Sequence, residues 1–125
     1  MKMKKIHVIL AMYEAMDCFY DESEKVPENL EQFLRDLDPY VWKGYITADP
    51  AIQAQFDRYS KDRLVGDEID PNIAYDVVKG FLKEQSDYYS EVFPEDKSLP
   101  FDVLFSYFTL EEWNDLCKII EQEES

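Results

Sequence analysis

The sequence predicts an all-α protein that folds as one compact domain of five or six helices across residues 1–125. A chain of 125 residues has the length of a single domain, and 46% of it is hydrophobic, which is enough for a core without disulfides or metal. Apolar side chains recur at spacings of three and four over long stretches. The sequence contains three glycines, and helix-starting residues precede several of these stretches.

The first two helices are expected near the amino terminus. Apolar side chains cover most of the helix circumference over residues 4–22, which predicts a largely buried helix. The β-branched residues at its start leave a short strand near residues 5–10 as an alternative. A second helix is expected over residues 27–37, because proline suits a first turn and leucines follow at helical spacing. Asp38-Pro39 ends it, since a residue before proline avoids the helical conformation.

Two further helix starts share one pattern. Asp49-Pro50 and Asp70-Pro71 each place a capping carboxylate before a proline at the first helical position. The first is expected to open a helix that ends near Leu64, and the second a longer helix that ends before Pro94. Gly80 lies inside this longer helix and costs about 1 kcal/mol relative to alanine, which indicates a close helix contact or a break.

The last helix has a recognisable start. Thr109 and Glu112 match a capping box, and apolar residues follow at helical spacing. The apolar stretch at residues 99–108 precedes it and is compatible with a short helix, or with a short strand near residues 100–107.

Charge is the most unusual property of the composition. Acidic residues outnumber basic ones 28 to 13, which gives a net charge of −15. The excess lies in residues 14–38, which carry −7, and in residues 84–125, which carry −10. This balance argues against direct binding of nucleic acid or of an anionic membrane. It is typical either of a surface that keeps the protein soluble or of one complementary to a basic protein partner.

The cysteines and the amino terminus indicate a cytoplasmic protein. Cys18 and Cys117 lie among apolar neighbours, which favours two buried thiols in a reducing compartment over a disulfide. The basic start lacks the uninterrupted apolar stretch and the cleavage site of a signal peptide. No stretch approaches the ~18 apolar residues of a membrane span.

The chemistry-bearing residues do not form an enzyme motif. His7 is the single histidine and has no ligand pattern near it, so a structural role is favoured. Neither cysteine has the electropositive surroundings that activate a thiolate. Phosphate-binding glycine loops and nucleophile elbows are missing from the sequence. We therefore predict no catalytic residue, no metal site and no cofactor.

An aromatic segment carries the one residue-level prediction of a binding site. Tyr40, Trp42 and Tyr45 fall within six residues, in a connection that does not have helical periodicity. Tyrosine and tryptophan are enriched at the energetic centres of interfaces, so these three residues are candidate partner-binding residues. The alternative is that they tuck under the connection and cover the core.

The same segment carries a resemblance. Asp38, Pro39, Tyr40 and Trp42 form an acidic-proline-aromatic turn, and the sequence Ala-Asp-Pro-Ala at residues 48–51 then opens a helix. This arrangement resembles a segment of small acidic bacterial proteins of uncharacterised function, a group that includes toxin-neutralising immunity proteins. The resemblance implies a binding role and assigns no catalytic residue.

These observations predict a non-catalytic acidic binding protein. The most concrete form is an inhibitor of the immunity or antitoxin type that covers a basic protein partner. The alternatives are a structural or adaptor subunit that self-associates, with a homodimer as one form, and a domain of unknown role without enzymatic activity. A third hypothesis, ranked behind these, is an enzyme with an unrecognised carboxylate site.

Overall fold

The computed structural model describes residues 1–20, 27–96 and 98–124, and within them the predicted all-α class is confirmed. In these described ranges six α-helices pack around one core, and a pair of two-residue strands joins two distant segments. In chain order the elements are strand β1 (Met3–Lys4), a 3₁₀ turn (Lys5–His7), α1 (Val8–Asp17), α2 (Glu28–Leu37), α3 (Pro50–Ser60), β2 (Glu68–Ile69), α4 (Pro71–Val92), α5 (Phe101–Ser106) and α6 (Leu110–Glu123).

The amino terminus differs from the expectation of a helix beginning at residue 4. Met3 pairs with Ile69 in an antiparallel register, and the Lys5 N–H donates to the Asp67 carbonyl at 2.8 Å. Met3 and Ile69 are both buried, so this long-range pairing completes the core and displaces the helix start to Val8. Strand β1 therefore lies just before residues 5–10, the range in which a short strand was the alternative. The other alternative strand, near residues 100–107, is wrong, because this stretch contains helix α5.

The helix ends follow local chemistry. Asp49 Oδ1 accepts the Ala51 N–H at 2.9 Å, and Asp70 Oδ1 accepts the Asn72 N–H at 2.8 Å. The predicted capping box of α6 is present in both directions. Helix α1 ends at Asp17, earlier than expected, and residues 21 and 22 of the predicted helix lie outside the described residues.

Helix α3 also ends earlier than expected, at Ser60. The N–H groups of Arg63 and Leu64 both donate to the Ser60 carbonyl, and this turn directs the Leu64 side chain into the core.

Aromatic rings in the core join helices that are distant in the chain. The rings of Phe33 and Phe101 stack with their centroids 4.7 Å apart, which joins α2 to α5. Trp113 is fully buried, and its Nε1–H donates to the Pro71 carbonyl at 2.8 Å, which fixes α6 against the first turn of α4. Tyr88 on α4 is 57% exposed, because the buried face of this helix runs through Gln85, Ser86 and Tyr89.

Candidate partner-binding surface

Residues 38–49, which we call the aromatic loop, connect α2 to α3 without regular secondary structure. Aspartates fix both of its ends. Asp38 Oδ1 accepts the Tyr40 N–H at 2.9 Å, and the Asp49 N–H donates to the carbonyl of Asp36 at 2.9 Å. Gly44 and Tyr45 both have positive φ, at 84° and 59°, so the loop reverses direction at a conformation that glycine tolerates and tyrosine seldom adopts.

The loop presents several apolar side chains to solvent. Tyr40, Val41, Trp42 and Ile46 are between 43% and 58% exposed. The indole of Trp42 is held in place, since its Nε1–H donates to the Ala48 carbonyl at 3.2 Å. A fixed, exposed aromatic side chain is the kind of group that anchors interfaces, because little conformational entropy is lost when it is buried.

Tyr40 ties the first half of the loop to α1. Its hydroxyl hydrogen-bonds to the carboxylate of Glu14, and its ring meets the Tyr13 ring edge-on with centroids 5.9 Å apart. Partial burial and the hydrogen bond to Glu14 raise the pKa of the Tyr40 hydroxyl well above its usual range. The hydroxyl therefore stays protonated and keeps donating.

Tyr45 ties the second half of the loop to the end of α6. Its hydroxyl hydrogen-bonds to Glu124, and its ring lies edge-on to His7 with centroids 5.6 Å apart. His7 is buried, and its Nδ1 lies 2.5 Å from Glu121 Oε1. Tyr45 is thus half-buried and faces the protein, whereas Tyr40 and Trp42 are exposed.

Beside the base of the loop lies a cleft of about 540 Å³, which we call the acidic cleft. It is bounded by the second half of α1 and the residues after it, by α2, and by the first residue of the loop. Its lining residues are Tyr13, Asp17, Tyr20, Glu31, Leu34, Arg35 and Asp38.

The described lining of the cleft carries more acidic than basic side chains. Carboxylates outnumber cations three to one on its lining, and Arg35 donates to Glu31 on its own helix at 2.7 Å. Burial raises the pKa of Tyr13 to about 12, with further contributions from Asp17, Asp38 and Glu14. Loop and cleft share Asp38 and meet through the Tyr13–Tyr40 ring contact, so they form one continuous surface.

The two cysteines differ from the expectation that both thiols are buried. Both are free thiols, but Cys18 is exposed because α1 ends one residue before it, while Cys117 is buried. Burial raises the pKa of the Cys117 thiol to about 12, with a smaller contribution from Glu121 one turn along α6. Partial burial and the carboxylates of Asp17 and Glu14 also raise the pKa of Cys18. Both environments disfavour a thiolate.

The structure adds residues that sequence reasoning did not place at this surface. Glu14 and Glu124 hold the loop tyrosines although they lie 26 and 79 positions away in the chain. No local sequence signal could have paired them. Across residues 1–20, 27–96 and 98–124, no three His, Cys, Asp or Glu side chains are grouped as metal ligands would be.

None of the helices in the described part of the chain has both the length and the apolar character needed to cross a membrane.

A scan against protein-family models finds no match, and searches of curated proteins and of solved structures find none either.

Proposed function

We propose that this chain is a non-catalytic binding protein of the immunity or antitoxin type, which inhibits a basic protein partner by covering it with the aromatic loop and the acidic cleft. The observation that carries the proposal is the 55% exposure of Trp42 on a loop held at both sides by tyrosine–carboxylate hydrogen bonds. Such a loop is preorganised, so less ordering entropy opposes binding.

Charge supports a basic partner. Asp38 begins the aromatic loop, Glu14 and Glu124 accept hydrogen bonds from its tyrosines, and the chain as a whole carries −15. A negative surface around an aromatic anchor increases the association rate with a positive surface and disfavours acidic competitors. The proposed compartment is the cytoplasm, where free thiols such as those of Cys18 and Cys117 stay reduced.

The first experiment identifies the partner by position. A photoreactive phenylalanine analogue at position 42 is compared with one at position 107, because Tyr107 is also an exposed aromatic residue, at 67%. We expect a basic polypeptide to crosslink from position 42 and not from position 107. Equal crosslinking from both positions, or an acidic partner, would contradict the proposal.

The second experiment measures affinity with the purified partner. Trp42→Ala should weaken binding by about 2 kcal/mol or more, as expected of an interface centre, and should leave the melting temperature nearly unchanged. Tyr107→Ala is the matched control and should change neither quantity. A loss of stability without an intrinsic loss of affinity would mean that Trp42 serves the fold instead of an interface.

A third experiment tests inhibition itself. Co-expression of the chain should relieve toxicity caused by the captured partner, and the Trp42→Ala variant should relieve it less.

A structural or adaptor subunit is the alternative, since the exposed Val41, Trp42 and Ile46 could be buried in a homodimer. Sedimentation distinguishes the two, because a dimer that Trp42→Ala converts to a monomer would favour the adaptor.

A further inference from the structure

The Trp42 indole is held by an acceptor on the far side of the aromatic loop. Its Nε1–H donates to the Ala48 carbonyl at 3.2 Å, across six positions of the chain. Ala48 lies between two residues whose backbone is fixed. The Thr47 N–H donates to Gln53 Oε1 at 3.2 Å, and the Asp49 N–H donates to a carbonyl of α2 at 2.9 Å. The orientation of the indole therefore depends on how the chain runs between positions 42 and 48.

The chain reverses between these positions at Gly44 and Tyr45, which have φ angles of 84° and 59°. Glycine adopts such a conformation without a steric cost, whereas a residue with a Cβ atom disfavours it. Among the described residues, Tyr45 is the one non-glycine residue with a positive φ. A disfavoured backbone conformation persists where the surrounding structure stabilises it, so the side-chain contacts of Tyr45 should account for the reversal.

The Tyr45 side chain contacts two residues outside the loop. Its hydroxyl donates to Glu124, directly after α6, and its ring lies edge-on to His7 with centroids 5.6 Å apart. His7 is 2% exposed and is itself held, because its Nδ1 lies 2.5 Å from Glu121 Oε1. We call Tyr45, His7, Glu121 and Glu124 the loop anchor. Tertiary contacts, and not the loop sequence alone, therefore stabilise the reversal.

We propose that Tyr45 is a positioning residue of the interface, which uses the loop anchor to hold the chain reversal that presents Trp42 to the partner. This inference rests on the proposed function and gives Tyr45 an indirect role in place of direct contact with the partner. Its ring and hydroxyl are both engaged with the protein itself, so it acts through Trp42.

The first test needs no partner and measures the order of Trp42 by NMR relaxation. Glu124→Ala removes the acceptor of the Tyr45 hydroxyl, and Glu123→Ala is the matched control, since it removes an equal charge at the neighbouring exposed position. We expect the order parameter of the Trp42 backbone N–H to fall from about 0.85 to below about 0.6 in the first variant and to stay unchanged in the second. The indole N–H of Trp113 is buried in the core and should keep its order in both variants, which shows that the fold is intact.

Two further variants separate the loop anchor from the backbone turn. Glu124→Gln keeps an oxygen that can accept the hydroxyl, so Trp42 should stay ordered. Tyr45→Asn suits a left-handed backbone conformation but has no ring to lie against His7 and is too short to reach Glu124, so Trp42 should lose order. An ordered Trp42 in Tyr45→Asn or Glu124→Ala, or an equal loss of order in Glu123→Ala, would overturn the proposal.

The second test uses the captured partner and asks whether Tyr45 acts through Trp42. Tyr45→Phe removes the hydroxyl alone. We expect it to weaken binding by at least about threefold when Trp42 is present and by less than about twofold in the Trp42→Ala background. Equal losses in both backgrounds would show that Tyr45 contacts the partner itself, which would overturn the positioning role.

The outcomes separate this inference from the proposed function. If Trp42 stays ordered in Glu124→Ala but position 42 still crosslinks a basic polypeptide, the positioning role fails and the binding function stands. If Glu124→Ala lowers the order of Trp42 but no basic polypeptide crosslinks from position 42, the loop anchor stands and the proposed function fails.

Discussion

Buried polar side chains in the core form hydrogen bonds with the backbone or with each other. Ser86 Oγ accepts the Phe101 N–H at 3.1 Å, and Gln85 donates to Gln55 at 2.7 Å. Among the described residues, Ser60 Oγ is the one buried side-chain oxygen or nitrogen without a hydrogen-bond partner. An unpaired buried hydroxyl lowers stability because it has lost its hydrogen bonds to water.

Removing this hydroxyl should therefore stabilise the protein. We expect Ser60→Ala to raise the free energy of unfolding by about 1 kcal/mol, measured by urea denaturation. Ser86→Ala is the control, because it removes a hydroxyl that has a partner, and it should lower the free energy of unfolding by about 1 kcal/mol. A loss of stability in both variants would show that the Ser60 hydroxyl has a bonding role.

The carboxylate of Asp96 contributes hydrogen bonds that depend on its charge. Its carboxylate accepts the N–H of Asn29 at 3.1 Å and that of Ser98 at 2.9 Å, so it satisfies a donor in the first turn of α2. Burial alone would raise the pKa of Asp96, but the hydrogen bonds from Ser98 and Asn29 outweigh it and hold the pKa below its usual value. The charged form is therefore the form that stabilises the fold.

The lowered pKa of Asp96 makes the free energy of unfolding depend on pH. A carboxylate with a depressed pKa contributes stability above its unfolded pKa of about 4, and this contribution is lost as the pH falls through the lower folded value. We expect Asp96→Asn to be less stable than the parent near neutral pH, with the difference shrinking below about pH 4. Glu95→Gln removes an equal charge outside this network and serves as the control. A stability difference that does not change with pH would contradict the role of the charge.

At the scale of elements, the crossing of α3 and α4 depends on Gly80. A Cβ atom at this position would overlap the Tyr59 hydroxyl and lie 3.2 Å from Tyr59 Cζ. Tyr59 cannot easily move away, because its ring packs against Phe81 and beneath the Arg63 guanidinium. The glycine predicted to mark a helix contact or a break thus marks a contact, and α4 continues through it without a break.

This contact reverses the usual effect of a glycine-to-alanine change within a helix. Alanine would normally add about 1 kcal/mol of helix stability, but we expect Gly80→Ala to destabilise the protein because the Tyr59 ring must leave its contacts with Phe81 and Arg63. The Tyr59→Phe background removes the overlapping hydroxyl, so Gly80→Ala should cost less there. A double-mutant cycle of unfolding free energies measures the coupling. Equal costs in both backgrounds would contradict the role of Tyr59.

The carboxyl-terminal end of α6 contacts both the amino terminus and the aromatic loop. Glu121 accepts the Lys4 N–H at 3.1 Å and lies 2.5 Å from His7, while Glu124 accepts the Tyr45 hydroxyl. These carboxylates hold the amino terminus and the aromatic loop against α6. The carboxyl-terminal acidic residues therefore serve the fold as well as the surface charge.

At the scale of the whole molecule, the net charge of −15 opposes compactness through self-repulsion. Arg35 and Glu31 form an ion pair in which both side chains are exposed, and such a pair contributes at most about 1 kcal/mol. We therefore expect packing of the buried core to supply most of the stability. The proposed binding of a basic partner would relieve part of the repulsion.

Salt should therefore stabilise the free protein. Raising the ionic strength to about 0.15 M screens charges more than about 8 Å apart, so we expect the melting temperature to rise with added NaCl. Reversing Glu84 and Asp87, both exposed on α4, to lysine lowers the net negative charge by four units and should reduce the gain. A melting temperature that is insensitive to salt in both proteins would show that repulsion contributes little.

The sequence by itself determined the helical class, most helix starts and the charge, because caps, proline positions and apolar spacing act within a few residues. Asp49, Asp70 and Thr109 each specify a helix start from local hydrogen bonding alone. The tertiary structure determines the features that depend on contacts between residues distant in the chain. These features are the pairing of Met3 with Ile69, the exposure of Cys18 and Tyr88, and the inward orientation of Tyr45 beside exposed Trp42. It also assembled the acidic cleft from separate segments, because side-chain burial and charge proximity are set by packing between elements, which no local pattern encodes.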